Sequence, residues 1–211
     1  MTESPAESGS AEAHYEDVSA WGLEAADEEA MLAAQTECTF IWANQEGWPV
    51  GVIMSFIWRR GRFWLTAGGR RARIAAVRRD PRVCIVVTST GAHGVPNRRT
   101  VTYKGICRLH DDAETKSWFY PELAAALHPD PERSRHFARF LDSPHRVILE
   151  VEPIQRIGFD GTKQSAATTA WIEAARAAGA TEQTDTHGAD GDGGLGDEAR
   201  AAGATEQTDT G

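Results

Sequence analysis

Six segments between residues 38 and 160 alternate apolar and polar side chains, a period of two that is typical of half-buried β-strands. Short turn-forming stretches, QEGWP and RRG, join the first three segments, which predicts an antiparallel meander. Strands and helices do not alternate regularly along the chain, as they do in a parallel α/β fold. The pattern therefore predicts a mainly β fold, a closed or nearly closed six-stranded antiparallel β-barrel with a few helices. The predicted strands are 38–44, 50–58, 62–67, 82–90, 99–110 and 145–160.

Helical patterns flank and interrupt these strands. A short helix is predicted from Arg70 to Arg79, because the Asp80-Pro81 pair cannot continue it. We expect a barrel domain at 18–163 that includes an N-terminal helix, followed by a C-terminal helix at 164–180. The other predicted helices span 18–37, 113–127, 131–142 and 168–179.

The two ends of the chain are acidic and the body is basic. The net charge is −10 over residues 1–37, −6 over 176–211 and +7 between them, within a total of −9. Residues 1–17 and 181–211 have little to bury, so we expect both to be disordered. The segment ARAAGATEQTDT occurs at 175–186 and again at 199–210, which indicates a duplicated tail. A basic body favours anionic ligands such as nucleotide phosphates.

Several classes of partner are disfavoured. The three cysteines lie in apolar runs without a CxxC motif, which predicts reduced, buried thiols and a cytoplasmic protein. No signal peptide or membrane-spanning run is present, so no membrane partner is expected. The seven histidines form no i, i+4 pair, and no metal site is predicted. Nucleic-acid binding is disfavoured because the whole chain is acidic and no basic recognition helix stands out.

The stretch LTAGGRRARIAA carries the main candidate site. A predicted strand ends at Thr66, two glycines follow, and Arg70, Arg71 and Arg73 open the next helix. Cations are unfavourable at a helix N-terminus, where backbone N–H groups and the macrodipole are positive. A bound phosphate would reverse that sign, so the pattern predicts a phosphate site that includes the Thr66 hydroxyl. The alternative is that solvated arginines tolerate the dipole. No Gly-Lys-Ser/Thr follows, so a nucleoside triphosphate with magnesium is not predicted.

These residues and the strands around them resemble the pyridoxamine 5′-phosphate oxidase-like, flavin-binding split-barrel family. The resemblance covers about 38–163 and rests on the order of LTAGGRRARIAAVRRDPRV, GWPVGVIMSFIW, RRTVTYKGICRL and VILEVEP in this chain. It implies a homodimeric split β-barrel with one flavin-type cofactor at each subunit interface.

The resemblance also implies which residues contact the cofactor. The second strand would border the flavin ring, and the end of the third strand with the basic helix would hold the phosphate. Arg73 takes the position of the family's lysine, whereas Ala72 lacks a polar group there. No catalytic residue is assigned, because in hydride transfer the ring carries the chemistry. The predicted cofactor-binding residues are Val50, Ile53, Met54, Ser55, Leu65, Thr66, Arg70, Arg71, Arg73 and Thr100.

The resemblance leaves the cofactor open. We favour an FMN-dependent oxidoreductase acting on a small organic substrate. The deazaflavin coenzyme F-420 is the alternative, and Arg98, Arg99 and the basic helix could hold its oligoglutamate tail. Vitamin B6 oxidation is not expected, because the segment after Lys163 does not match and the RLH sequence at 108–110 lies inside the fifth strand. The alternative of another class is a non-catalytic flavin- or haem-binding protein, with His136 or His145 as a haem ligand.

Overall fold

The computed structural model describes residues 18–185, with side chains described through residue 178. It contains two compact units, one ending at Thr168 and one formed by the rest of the last helix from Thr169. The elements are a 3-10 helix (Val18–Trp21), α1 (Ala25–Ala34), β1 (Glu37–Ala43), β2 (Pro49–Arg59), β3 (Arg62–Gly68), α2 (Ala72–Arg79), β4 (Arg82–Thr88), β5 (Arg99–His110), α3 (Ala113–Leu127), α4 (Pro131–Leu141), β6 (Arg146–Asp160) and α5 (Gly161–Asp185).

The six strands form one closed antiparallel barrel in the order β1-β2-β3-β6-β5-β4. The first three strands are a meander, β4 and β5 are neighbours, and the long β6 lies between β3 and β5. Pairing of β4 with β1 closes the barrel. The predicted six-stranded antiparallel barrel is therefore confirmed.

Alternation along the strands fills the barrel interior. Phe40, Phe56, Leu65 and Ile85 come from four different strands, and each is fully buried in the main core. Residues of α1 and α2 join that core. A second, smaller core lies on the outer side of the sheet, where α3 and α4 pack around Ile148 of β6. The outward side of β3 and β6 is therefore covered by helices.

The N-terminal helix is shorter than predicted. The pattern over residues 18–37 predicts one helix, but a 3-10 helix ends at Trp21 and α1 runs only from Ala25 to Ala34. Trp21 and Leu23 are buried on either side of Gly22, so tertiary packing replaces helix continuation there. At the other end, the Gln35 side chain donates to the carbonyl oxygens of Thr88 and Thr90, at 2.7 and 3.0 Å.

The last helix begins at Gly161, earlier than the sequence pattern indicated. Asp160 accepts hydrogen bonds from the backbone N–H and the hydroxyl of Thr162, as an N-cap residue does. The helix continues to Asp185 and so includes the first residues of the expected disordered tail. Residues 1–17 and 186–211, with the whole of the spacer and of the second repeat copy, lie outside the described part. Among residues 18–185, no helix is both long and apolar enough to cross a bilayer.

All three cysteines are free thiols. Cys38 and Cys107 are buried in the main core, and burial raises the pKa of each to about 12. Cys84 is only half-buried and lies on the outer face of β4. The prediction of buried reduced thiols is therefore correct for two of the three cysteines.

Candidate functional site

The connection from β3 to α2 is held by backbone hydrogen bonds. The Gly69 N–H donates to the carbonyl oxygen of His145 at 2.7 Å, and the Arg71 N–H donates to that of Gly68 at 3.0 Å. Arg71 is the N-cap of α2, yet no side chain caps this helix end. The first turn of α2 follows β3 after a three-residue connection, and its uncapped N–H groups are free to bind a ligand.

The three arginines beside this helix end have no acidic partner among the described residues. Arg70 and Arg71 are exposed, and Arg73 is half-buried. Burial, and then the charge of Arg71, lower the pKa of the Arg73 guanidinium. The Arg73 Nε atom is buried and has no hydrogen-bond partner. This uncompensated cluster lacks an acceptor with negative charge, which a phosphate group would supply.

Thr66 lies at the end of β3 with its side chain on the outer face. Its Oγ1 donates to the carbonyl oxygen of Val147 at 2.9 Å, so its lone pairs remain available to accept. The neighbouring Leu65 points the other way and is fully buried in the barrel core. Of the two residues predicted here, only Thr66 can present its side chain to a ligand outside the barrel. We call Thr66, Arg70, Arg71, Arg73 and the first turn of α2 the α2 anion site.

The predicted residues of β2 divide between two faces. Met54 is 6% exposed in the barrel core, and Val50 packs against the same core. Ile53 and Ser55 face outward, and Ile53 is 65% exposed. Only the second pair can contact a ligand on the outer surface with side chains, whereas Met54 and Val50 could do so only through the backbone.

Thr100 lies apart from the other predicted residues. It is on the outer side of β5, opposite Thr88 of β4 and Phe159 of β6. Because β1 and β4 lie between β2 and β5, about 14 Å of sheet separates Thr100 from β2. Within one chain, the structure brings Thr66 and the three arginines into one region and leaves Thr100 outside it.

Arg98 and Arg99 do not form part of a second anion site. Arg99 is paired with Asp27 at 3.0 Å and with the buried Asp160 at 3.2 Å. Arg98 donates to the hydroxyl of Ser165. The expectation that these two arginines are available for an oligoglutamate tail is wrong for Arg99, because acidic side chains of the same chain already neutralise it.

The RLH sequence lies within β5, as expected. Arg108 pairs with Glu152 at 3.1 Å, and His110 Nε2 lies 2.7 Å from an oxygen of Glu150. Glu150 also pairs with Arg62 at 2.8 Å. These side chains form a network of polar contacts on the outer face of the sheet. They already have partners within the chain and are not available to bind a substrate.

The candidate haem ligands lie on separate elements. His136 is on the exposed side of α4, and His145 is exposed in the turn before β6. Neither borders a described cavity. In the described part of the chain, both histidines are therefore exposed to solvent, and no observation favours either of them as a haem ligand.

Two residues near the α2 anion site were not predicted. Tyr120 of α3 is 2% exposed, and its hydroxyl lies beside that of Thr66. Arg146 opens β6 opposite Gly68 and has no ion pair in the described structure. Both come from chain segments far from residue 66 and are placed here by strand pairing and helix packing, which leaves no local sequence signal.

The α2 anion site lies outside two hollows found in the described part of the chain. A hollow of about 370 Å³ lies between β1, β4 and β5, and its lining includes Ile41, Cys84 and Lys104. A hollow of about 270 Å³ lies between α1, β2 and α3. Neither is lined by Thr66 or by the arginines of α2.

A sequence model of the pyridoxamine 5′-phosphate oxidase family matches residues 27–155. The match covers more than half of the chain and spans β1 to β5 with most of β6. The chain belongs to the pyridoxamine 5′-phosphate oxidase family. Its barrel is the split barrel of that family, which confirms the resemblance noted in the sequence.

Several solved structures are similar to the chain at low sequence identity, and the first of those below has the same fold. The conserved hypothetical protein Rv2991 from Mycobacterium tuberculosis is 16% identical, with a TM-score of 0.59 over 69% of this chain and 90% of its own. A FAD-binding protein from Mesorhizobium loti is 17% identical, with a TM-score of 0.49 over 64% and 92%. A protein named F420 reductase is 18% identical, with a TM-score of 0.47 over 61% and 94%. No curated protein matches the chain.

Proposed function

We propose that the protein is a flavin-dependent oxidoreductase that binds FMN by its phosphate at the α2 anion site and acts on a small organic substrate. The observation that carries the proposal is the uncompensated charge of Arg71 and Arg73, together with the orphaned Arg73 Nε. Membership of the pyridoxamine 5′-phosphate oxidase family supports the same class of ligand.

Each part of the site has a defined task in this proposal. Arg71 and Arg73 neutralise the phosphate, and the free N–H groups of α2 donate to its oxygens. Ile53 and Ser55 on the outer side of β2 offer a surface for the ring. When bound, a flavin supplies the hydride chemistry, so the chain's own residues have to bind, orient and shield it.

Coenzyme F-420 is the second candidate for the same site. Three arginines carry more charge than one phosphate monoester requires, which favours a ligand with further anionic groups. Against this, Arg99 is already neutralised by Asp27 and Asp160. We therefore keep FMN as the first choice.

We further propose that the functional unit is a homodimer formed through the outer face of the barrel. Strand register places Ile53, Thr39, Val86, Thr102 and Ile157 in one row across five strands. Ile53 and Ile157, at its ends, are 65% and 58% exposed. An exposed apolar sheet face of this kind is typical of an interface between two copies of a chain.

The dimer proposal is tested by Ile53→Arg with Phe140→Arg as control. Phe140 is similarly exposed but lies on α4, away from the row. Light scattering should give a dimer for the wild type and the control, and a monomer for Ile53→Arg. A monomeric wild type, or equal effects of both substitutions, would contradict the proposal.

The cofactor proposal is tested by titrating the purified protein with FMN and with F-420. We expect flavin absorption that survives gel filtration and a melting temperature raised by FMN. Reduction of the bound chromophore by a nicotinamide or by reduced F-420 would distinguish an enzyme from a non-catalytic carrier. A colourless protein that neither compound stabilises would exclude the function.

A further inference from the structure

Tyr120 carries a buried hydroxyl without a hydrogen-bond partner. Among the side chains described, only two buried nitrogen or oxygen atoms lack a partner, Tyr120 Oη and Arg73 Nε. An unsatisfied buried polar group destabilises a fold, and such groups are rare in native proteins. Arg73 Nε already belongs to the α2 anion site. We therefore ask whether the Tyr120 hydroxyl lies close enough to that site to contact the same ligand.

Tyr120 lies over the end of β3 that leads into α2. It packs in the outer core with Ile148, and Ile148 is the cross-strand partner of Thr66. Gly68, two residues further along β3, is only about 7 Å from Thr66 along the strand. The Arg71 N–H donates to the Gly68 carbonyl oxygen, which holds the start of α2 against the end of β3. The Tyr120 hydroxyl, which lies beside Thr66, is therefore close to the same end of β3.

Among the described residues, no acceptor lies in hydrogen-bonding geometry with the proton of the Tyr120 hydroxyl. Thr66 gives its only proton to the Val147 carbonyl oxygen, at 2.9 Å. Burial raises the pKa of Tyr120, whereas the Thr66 hydroxyl and the charge of Arg146 lower it. Although Thr66 is close, Tyr120 Oη forms no hydrogen bond of standard geometry with it. The phenol keeps its proton at neutral pH and can donate it to an incoming oxygen.

Space for such an oxygen exists at Gly68. A Cβ atom added there would meet no atom within 4 Å, whereas one added at Gly69 would lie 3.0 Å from the His145 carbonyl oxygen. The glycine that closes the loop is therefore Gly69. Gly68 leaves open room next to Arg146, its partner in β6.

We propose that Tyr120 is a specificity-determining residue of the α2 anion site, whose hydroxyl donates a hydrogen bond to a ligand phosphate oxygen beside Gly68 and Arg146. The inference rests on the proposed function, since it places the phosphate of the same cofactor. It extends the site from one helix end to a cradle built by β3, β6, α2 and α3. A donor at this position selects for phosphorylated over unphosphorylated forms of the ring system.

The test compares Tyr120→Phe with Tyr103→Phe in the full chain. Tyr103 is also buried, but its hydroxyl donates a hydrogen bond to Glu28. Removing the Tyr103 hydroxyl therefore removes a hydrogen bond that exists in the folded protein. Fluorescence titration with FMN and with riboflavin measures the phosphate-dependent part of the affinity. Melting of the ligand-free protein measures whether each hydroxyl is structural.

For Tyr120→Phe we expect FMN to bind roughly tenfold more weakly and riboflavin to bind unchanged. The ligand-free variant should melt at the wild-type temperature or about 2–4 °C higher, because an unsatisfied group is removed. Tyr103→Phe should melt lower and keep its FMN affinity. Unchanged FMN affinity, an equal loss for riboflavin, or a lower melting temperature of ligand-free Tyr120→Phe would each overturn the inference.

The outcome also separates this inference from the proposed function. If the wild type binds FMN and Tyr120→Phe binds it equally well, only the role of Tyr120 fails. If the wild type binds F-420 instead, the same comparison is made with F-420 and its phosphate-free chromophore. If neither compound binds, the proposed function and the role of Tyr120 fail together.

Discussion

Two basic regions of the barrel have opposite electrostatic environments. Beside α1, Arg99 pairs with Asp27, Arg156 with Glu28, and Lys163 with Glu24. At the α2 anion site, Arg70, Arg71 and Arg73 face no acidic side chain in the described chain. We call the first region the α1 contact region. Acidic side chains of the same chain therefore neutralise the basic residues of the α1 contact region, whereas the arginines of the α2 anion site keep their charge unpaired.

The comparison shows that basic sequence composition does not locate a binding site by itself. The acidic residues near the N-terminus, which make residues 1–37 so negative, include the counter-ions of the α1 contact region. Of these two regions, only the α2 anion site retains charge that a ligand can use. Substitutions in the first region should affect folding, and substitutions in the second should affect binding.

The largest effect is expected for Arg99→Ala. Arg99 and Asp160 are both mostly buried, so the substitution leaves a buried carboxylate with only its bonds to Thr162 and the N-terminus of α5. We expect urea unfolding to show a loss of about 2–3 kcal/mol in the free energy of unfolding. FMN affinity should be unchanged. A variant of wild-type stability that binds FMN poorly would place Arg99 in the ligand site instead.

Arg73→Ala should give the complementary result. Removing a charged donor to phosphate weakens FMN binding by about 1.5–3 kcal/mol, or roughly 10- to 150-fold in Kd. The unfolding free energy of the ligand-free protein should not fall, because Arg73 has no partner to lose. Arg78→Ala is the matched control, since Arg78 is an exposed arginine at the other end of α2. Equal losses of affinity in the two variants would mean that the site is misplaced.

Alanine substitutions at Gly68 and Gly69, at the end of β3, should have different effects on ligand binding and on stability. Gly69→Ala brings a methyl group to 3.0 Å from the His145 carbonyl oxygen, so we expect a loss of about 1–2 kcal/mol in stability. Gly68→Ala meets open space and should leave the ligand-free protein stable while it reduces FMN affinity several-fold. Thermal melting and titration of both variants test this, and a Gly68→Ala variant with full affinity would show that no ligand approaches there.

The smallest effect concerns Asp80, at the far end of α2. Hydrogen bonds from the Arg82 side chain are the main cause that lowers the Asp80 pKa from 3.8 to about 2. A lowered carboxyl pKa stabilises the fold above pH 4, and the contribution is lost as the pH falls from about 4 through 2. Asp80→Asn should therefore flatten the pH dependence of unfolding in that window only. An identical pH profile for variant and wild type would contradict the ion pair.

Much of the fold follows from the sequence. The strands and α2 are local patterns, because alternation and the Asp80-Pro81 stop act over a few residues. The same alternation places Leu65 and Thr66 on opposite faces, and it puts Met54 inside the barrel. The period of two is therefore enough to exclude the side chains of Leu65 and Met54 from contact with a ligand on the outer surface.

The rest of the site depends on contacts that no local pattern encodes. The pairing of Arg99 with Asp27 joins segments more than 70 residues apart, and the approach of Tyr120 to Thr66 requires α3 to pack over β3. Trp21 and Leu23, on either side of the break at Gly22, are buried against later segments of the chain. Such outcomes follow from tertiary packing.

The most direct measurement is a crystal structure of the full chain grown with FMN. We expect the phosphate to lie at the first turn of α2, within hydrogen-bond distance of Arg73 and of a backbone N–H group of that turn. A phosphate bound elsewhere on the barrel, or a first turn of α2 that holds only water while FMN is bound, would contradict it.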